Sequence, residues 1–144
     1  MNAERSLARL VRFYEGLTPA TLAQQLAGIY AADAYFKDPF NEVRGLAPIA
    51  AIFTHMFDQL EAPRFVVTGH VSQGAQAFLT WEFQFKLKRF STAPQCIRGA
   101  THIVFDVEGK VSRHRDYWDA AEELYEKLPL VGTLMRWLKR LVSR

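Results

Sequence analysis

The sequence contains few of the residues that mark specialised classes of protein. Of its 144 residues, one is cysteine, 8 are glycine and 6 are proline, whereas 49% are hydrophobic and 23% are charged. A lone Cys96 cannot form an internal disulfide, and no group of cysteines and histidines has the spacing of a zinc site. This composition excludes a disordered, collagen-like or low-complexity chain. A chain of this length is expected to fold around one hydrophobic core.

Long hydrophobic runs are also missing. No stretch of about 18 apolar residues occurs, so no membrane-spanning helix is predicted. The segment 1–16 has charged residues every few positions and lacks the apolar run of a signal peptide. Together these features predict a cytoplasmic protein.

Basic residues are concentrated near the C-terminus. The net charge is +3, but residues 126–144 hold five basic residues and one acid, which leaves 13 basic and 14 acidic residues in 1–125. A basic nucleic-acid-binding surface is therefore not expected, and no nucleic-acid partner is predicted. We divide the chain into a main domain, 1–125, and a C-terminal segment, 126–144.

The end of that segment has the pattern of a basic amphipathic helix. Over 133–144 an apolar stripe that includes Leu134, Trp137 and Leu138 lies opposite Arg136 and Arg140. Such a helix is expected to pack on the main domain or on a dimer partner. Weak contact with a membrane surface is the alternative, because tryptophan and basic residues on opposite faces are typical of interfacial helices.

Three helices are predicted before residue 60. Apolar residues recur at helical spacing over 3–15, and Gly16 ends this helix. Thr18 and Pro19 suit the N-cap and first position of a second helix of about a dozen residues. Pro48 is expected to open a third helix.

Strands are predicted after Pro63. Four segments rich in β-branched and aromatic residues, 65–71, 77–90, 95–105 and 110–118, are separated by short turn signals, which favours an antiparallel meander. In the second segment Trp81, Phe83 and Phe85 alternate with polar residues, although a one-residue bulge would instead turn Glu82 and Gln84 inward. Helices followed by an antiparallel sheet predict an α+β fold in which the helices cover the concave face of the sheet.

This order of elements resembles the nuclear-transport-factor-2-like superfamily. The similarity covers about residues 5–122 and depends on AYFKDPF (34–40) after the second helix and on KVSRHRDYWD (110–119) as the last strand. The superfamily includes the SnoaL-like polyketide cyclases, ketosteroid isomerases and limonene-epoxide hydrolases. The resemblance implies a cone-shaped curved antiparallel sheet wrapped by three N-terminal helices, with a cavity inside the cone and a homodimer formed through the outer sheet face.

Two enzyme patterns of the superfamily are each partly present. The ketosteroid isomerase pattern has a helix-one tyrosine, an Asp-Pro and a later strand acid, which correspond to Tyr14, Asp38 and the position of Thr101. In the epoxide hydrolase pattern the aspartate of the last strand corresponds to Asp116. The arginine and second aspartate of that pattern fall in TWEFQF (80–85), where only Glu82 or Gln84 is polar enough to replace either one.

The residues favour a site built on carboxylates. Asp38 is expected to be a general base between Phe36 and Phe40, although an aspartate before proline is as often a turn residue. On the last strand His114, Asp116 and Trp118 share one face, which suggests an acid–base pair, although a solvent-facing strand is the alternative. Tyr14 is expected to donate to a ligand oxygen or simply to bond a backbone carbonyl. The predicted substrate-binding residues are Phe53, Met56, Trp81, Phe83, Thr101 and Trp118.

The function predicted from the sequence is that of a small-molecule enzyme without metal or organic cofactor. Its expected chemistry is carboxylate proton transfer on a hydrophobic, oxygenated substrate, of isomerase or cyclase type. An epoxide hydrolase, a non-catalytic lipid or small-molecule binding protein, and an interaction module are the alternatives. Four scattered histidines (His55, His70, His102 and His114) do not indicate a metal site.

Overall fold

A computed structural model shows a six-stranded, strongly bent sheet with three helices against one face. It describes residues 1–88, 93–123, 134, 136–138, 140 and 141. The elements in chain order are α1 Ala3–Glu15, α2 Pro19–Ile29, β1 Tyr30–Lys37, β2 Glu42–Arg44, α3 Leu46–Gln59, β3 Leu60–Gln73, β4 Gln76–Leu87, β5 Pro94–Phe105, β6 Val111–Tyr117 and α4 Ala120–Glu123. The α+β architecture predicted from the sequence is confirmed.

The first two helices begin at the caps that the sequence indicates. The Asn2 side chain accepts a hydrogen bond from the backbone of Arg5, and Thr18 forms a capping box with Thr21. The third helix begins at Leu46, two residues before Pro48, because proline is tolerated throughout the first turn and Gly45 makes the preceding bend at φ 103°.

The sheet order is β2-β1-β6-β5-β4-β3. The pairs from β3 to β6 are antiparallel, as the short turns predict, but β1 pairs with β6 in parallel, which the sequence analysis did not foresee. This long-range pair joins the strand that follows α2 to the last strand of the chain. The carboxyl ends of β1 and β6 therefore lie side by side.

The pairing of β4 with β5 is unbroken from Gln76 to Lys86, so no bulge turns Glu82 or Gln84 inward on that side. Trp81, Phe83 and Phe85 are buried, as the alternation predicts. The strand after α3 begins earlier than predicted, at Leu60, and includes Pro63. An edge strand tolerates proline because its outer backbone groups have no ladder partner.

Candidate functional site

A small cavity lies inside the cone, between the helices and the concave face of the sheet. Its volume is about 40 Å³, enough for a chemical group of a few heavy atoms. The residues that line it are Tyr14, Phe36, Phe53, Phe65, Val67, Trp81, Thr101, His114 and Asp116. Most of this lining is aromatic or aliphatic, with its polar groups gathered on β5 and β6.

These polar groups form a chain of hydrogen bonds with a fixed direction. The Trp81 indole Nε1 donates to Thr101 Oγ1 at 2.8 Å, and because an indole N–H can only donate, the threonine hydroxyl must point its own proton elsewhere. It donates to Asp116 Oδ1 at 2.6 Å, and His114 Nε2 lies 2.7 Å from the same oxygen. Asp116 Oδ1 thus has two hydrogen-bond partners, which fix the orientation of the carboxyl group.

The second carboxyl oxygen of Asp116, Oδ2, is not bonded within the described part of the protein. Asp116 Oδ2 has no hydrogen-bond partner among the described residues. Among the described residues, every fully buried side-chain oxygen has a hydrogen-bond partner. Because Oδ2 has none, it must be at least partly accessible to solvent. The Asp116 side chain is 18% exposed, whereas that of His114 is 4% exposed. A carboxylate with one oxygen held and the other available can accept a proton at a defined position.

His114 connects this carboxylate to two buried tyrosines. Its Nδ1 lies 2.9 Å from the Tyr14 hydroxyl and 2.8 Å from that of Tyr30, and the two hydroxyls also bond each other. The imidazole stacks on the Phe36 ring at a centroid distance of 4.4 Å. In the tautomer whose Nε2–H donates to Asp116 Oδ1, the Nδ1 atom of His114 is the acceptor for one tyrosine hydroxyl.

Burial keeps the two tyrosines protonated. It raises the pKa of the Tyr14 hydroxyl well above its usual value, and the neighbouring Tyr30 and the Asp116 charge raise it further. Burial likewise raises the pKa of Tyr30. Both hydroxyls are therefore neutral donors at ordinary pH, and Tyr14 is the one that lines the cavity.

The structure brings together three of the four residues that we predicted to be catalytic: Tyr14, His114 and Asp116. It does not bring Asp38 to them. The Asp38 Oδ1 accepts hydrogen bonds from the backbone N–H groups of Phe40 and Asn41, at 2.8 and 2.7 Å, and from the side-chain amide of Asn41. Asp38 is thus the turn residue that its position before Pro39 also suggested.

Asp38 lies instead in an open groove at the carboxyl ends of β1 and β6. This rim groove has a volume of about 550 Å³ and is lined by Lys37, Asp38, Pro39, Arg115, Asp116, Tyr117, Trp118 and Asp119. Asp116 lines both the rim groove and the inner cavity. It therefore stands at the boundary between them.

Three of the predicted substrate-binding residues line the cavity and three do not. Phe53, Trp81 and Thr101 line it. Met56 and Phe83 pack in or against the core outside it, and Trp118 contacts Phe40 at the rim. Sequence reasoning missed Tyr30, Phe36, Phe65 and Val67 as site residues; Tyr30 follows Leu26 by one helical repeat, a signal that could have identified it.

The remaining histidines do not join this cluster. His102 stacks on Phe78 with a centroid distance of 4.5 Å and bonds Gln76, on the outer sheet face. Burial and the nearby Arg113 lower the pKa of His102. Within the described residues no group of histidine, cysteine and acidic side chains is arranged to hold a metal ion. No helix there is long and apolar enough to cross a membrane.

A bent six-stranded sheet covered by three helices is the fold of the nuclear-transport-factor-2-like class. Within that class the chain belongs to the family of the SnoaL-like domain, whose family model matches residues 10–114. No curated protein matches the chain by sequence.

Solved structures support the fold at low sequence identity. A proposed hydroxylase from Streptomyces galilaeus superposes with a TM-score of 0.72 at 14% identity, covering 89% of this chain and 100% of that one. A proposed polyketide cyclase from Xanthomonas campestris has a TM-score of 0.70 at 15% identity, with coverage of 85% and 96%. An epoxide hydrolase from M. tuberculosis has 0.66 at 14%, with coverage of 95% and 96%. At these identities the likeness shows the fold alone.

Proposed function

We propose that this protein is a small-molecule enzyme in which Asp116 transfers a proton on a hydrophobic, oxygenated substrate. The observation that carries the proposal is the placement of Asp116: Thr101 and His114 bond its Oδ1, Oδ2 has no partner among the described residues, and the residue lines an apolar cavity. A carboxylate that is oriented in advance and partly removed from water is suited to general base catalysis. Structural neighbours described as a cyclase and an epoxide hydrolase agree with a catalytic use of this fold.

The proposed reaction begins on a carbon next to a carbonyl group. Asp116 Oδ2 takes the proton from that carbon, and the electron pair of the broken C–H bond moves into the carbonyl to give an enolate. Tyr14 donates its hydroxyl proton in a hydrogen bond to the enolate oxygen. Tyr30 meanwhile donates to His114 Nδ1, so Tyr14 is free to turn from the cluster to the substrate.

Two outcomes complete the reaction. If Asp116 returns its proton to a different carbon of the enolate, the substrate is isomerised. If the enolate carbon attacks a second carbonyl of the same molecule, a ring closes and the proton goes to the new alkoxide. In both reactions every proton and electron pair is accounted for without a cofactor. Asp116 and Tyr14 have the same roles in the two reactions, so we propose an isomerase or cyclase.

Epoxide hydrolysis is the second candidate, favoured by Asp116 lying where the last strand meets the rim groove. Water in that groove would attack the epoxide carbon while Asp116 takes a proton from the water and the C–O bond of the epoxide breaks. Tyr14 would hydrogen-bond the resulting alkoxide, which then receives the proton from Asp116 to complete the diol. A non-catalytic binding protein is the third, favoured by the small size of the cavity.

The test is turnover by the parent and the Asp116→Asn variant on 3-cyclohexen-1-one, whose isomerisation to the conjugated enone is followed by ultraviolet absorbance, and on styrene oxide. We expect Asp116→Asn to lower kcat/KM by about 10²–10⁴-fold, because an amide cannot accept the proton. Asp38→Asn is the matched control, since it removes the same charge from the rim groove while leaving an oxygen for the turn. Full activity in Asp116→Asn would refute the proposal, and a loss confined to Asp38→Asn would restore Asp38 as the base.

A further inference from the structure

Among the described residues, the cavity lining supplies one carboxyl group and no permanently cationic side chain. Asp116 is its one acidic residue, and no lysine or arginine of the described residues lines it. Thr101 and His114 bond Oδ1, whereas Oδ2 has no hydrogen-bond partner among the described residues. A carboxylate partly removed from water favours a positively charged partner, because a cation recovers the solvation energy that the carboxylate has lost.

The walls of the cavity are mostly aromatic, and the faces of aromatic rings attract cations. Five of the nine lining residues are aromatic: Tyr14, Phe36, Phe53, Phe65 and Trp81. The π-electron cloud of such rings is negative, and several rings around one space attract an alkylated ammonium group. The aromatic rings and the carboxyl group of Asp116 thus both favour a positively charged ligand.

The volume and the hydrogen-bonding capacity restrict the ligand further. About 40 Å³ admits a head group with short alkyl substituents and not a large ring system. One available acceptor, Asp116 Oδ2, matches an ammonium with one N–H. A primary ammonium has three N–H donors and would leave two of them facing aromatic carbon, at a cost in free energy.

We propose that this cavity binds a small tertiary alkylammonium group, with Asp116 as its counter-ion and the five aromatic rings as its walls. The binding uses the same oxygen as the proposed proton transfer but does not depend on it. A tertiary ammonium compound therefore competes with the carbonyl substrate, and its affinity can be measured whether or not the enzyme reaction is found.

The test uses three ligands that differ only at the head group, measured by isothermal titration calorimetry with the full-length protein. Protonated N,N-dimethylethanolamine carries one N–H, ethanolamine carries three, and 3-methylbutan-1-ol is the neutral carbon isostere of the first. We expect the tertiary ammonium to bind at least about tenfold more tightly than the alcohol, and ethanolamine to bind more weakly than the tertiary ammonium.

Two variants assign the effect to the proposed groups. Asp116→Asn should abolish the preference for the cation, whereas Asp38→Asn should keep it. Phe65→Leu, which keeps an apolar wall but removes a ring, should reduce cation affinity several-fold and leave the alcohol unchanged. Equal affinities for cation and alcohol, or no binding of the cation up to about 10 mM, would overturn the inference. These two outcomes concern binding and not turnover. The cation-binding inference can therefore be refuted without refuting the proposed enzyme function, and the reverse is also true.

Discussion

At the scale of single residues, the direction of each hydrogen bond decides which oxygen of Asp116 is bonded. Trp81 can only donate, so Thr101 must donate onward to Asp116, and the acidic oxygen that remains is fixed as Oδ2. Replacement of Thr101 by valine would keep the shape of the core but would leave the indole N–H of Trp81 without its hydrogen-bond acceptor. The Thr101 hydroxyl thus links Trp81 to Asp116 by hydrogen bonds. It stands at the position that an acid occupies in the ketosteroid isomerase pattern.

The buried tyrosines make stability sensitive to alkaline pH. In the unfolded chain their hydroxyls ionise near pH 10, whereas in the folded protein burial raises the pKa of Tyr14 and of Tyr30 above that value. The folded state then binds more protons than the unfolded state above about pH 10, so the stabilisation is complete below about pH 10 and is lost as pH rises through the folded pKa.

We therefore expect the free energy of unfolding, from urea titrations between about pH 8 and 11.5, to fall steeply above pH 10. Tyr30→Phe removes one of the two buried hydroxyls, and its curve should fall less steeply than that of the parent. The same slope in both proteins would contradict this assignment.

At the scale of secondary-structure elements, the contact between β4 and β5 sets the position of the polar chain. Trp81 is the cross-strand partner of Gly99, and its ring occupies the space that a side chain at position 99 would need. An added Cβ would lie 2.6 Å from two atoms of the indole. The glycine thus allows the indole to lie flat across β5 with its N–H directed at Thr101.

Gly99→Ala tests this packing. We expect a loss of about 1–3 kcal/mol in the free energy of unfolding, because the indole must move in a close-packed core, and a loss of activity through the displaced Thr101. Gly28→Ala is the control: a Cβ there meets nothing within 4 Å, and alanine in helix α2 should be neutral or stabilise by up to about 1 kcal/mol. Chemical denaturation compares the two, and a Gly99→Ala protein as stable as the parent would rule out the close contact.

At the scale of the whole molecule, the outer sheet face bears an exposed row across three strands. Val71, Phe78 and His102 are cross-strand neighbours, and Phe78 is 47% exposed. Exposed aromatic and aliphatic groups side by side on a sheet favour association with another surface. This row agrees with the homodimer that the family resemblance implies, which stays a prediction.

We expect the parent to sediment at twice its chain mass of 16.5 kDa, and Phe78→Glu to shift it to the monomer because a charge would be buried in the interface. Val107→Glu is the control, since Val107 is 89% exposed in the turn before β6. Analytical ultracentrifugation distinguishes the two masses. A parent that sediments as a monomer would exclude this interface.

The C-terminal segment, 126–144, is described at six positions: 134, 136–138, 140 and 141. The predicted helix over 133–144 lies largely outside the described residues, as does most of the segment from 126 onward. Its described positions are helical, and Leu134, Trp137, Leu138 and Leu141 are exposed. Packing on a partner and contact with a membrane surface both stay predictions.

The sequence by itself determined the three N-terminal helices and the four strands that follow α3, because these depend on caps, turn residues and the spacing of apolar side chains along a short stretch of chain. It did not predict the strands β1 and β2. It did place His114 and Asp116 on one face of the last strand. These are local properties, so neighbouring residues are enough to encode them.

Only the tertiary structure decided which candidate groups share a cavity. The parallel pairing of β1 with β6, more than 70 residues apart in sequence, brings Tyr30 to His114 and leaves Asp38 in its turn at the rim. The burial of a side chain and the direction of its hydrogen bonds depend on contacts between distant segments. No local pattern contains them, so the sequence could offer Asp38 as the base and Asp116 as a second acid–base position without showing which of the two lines the inner cavity.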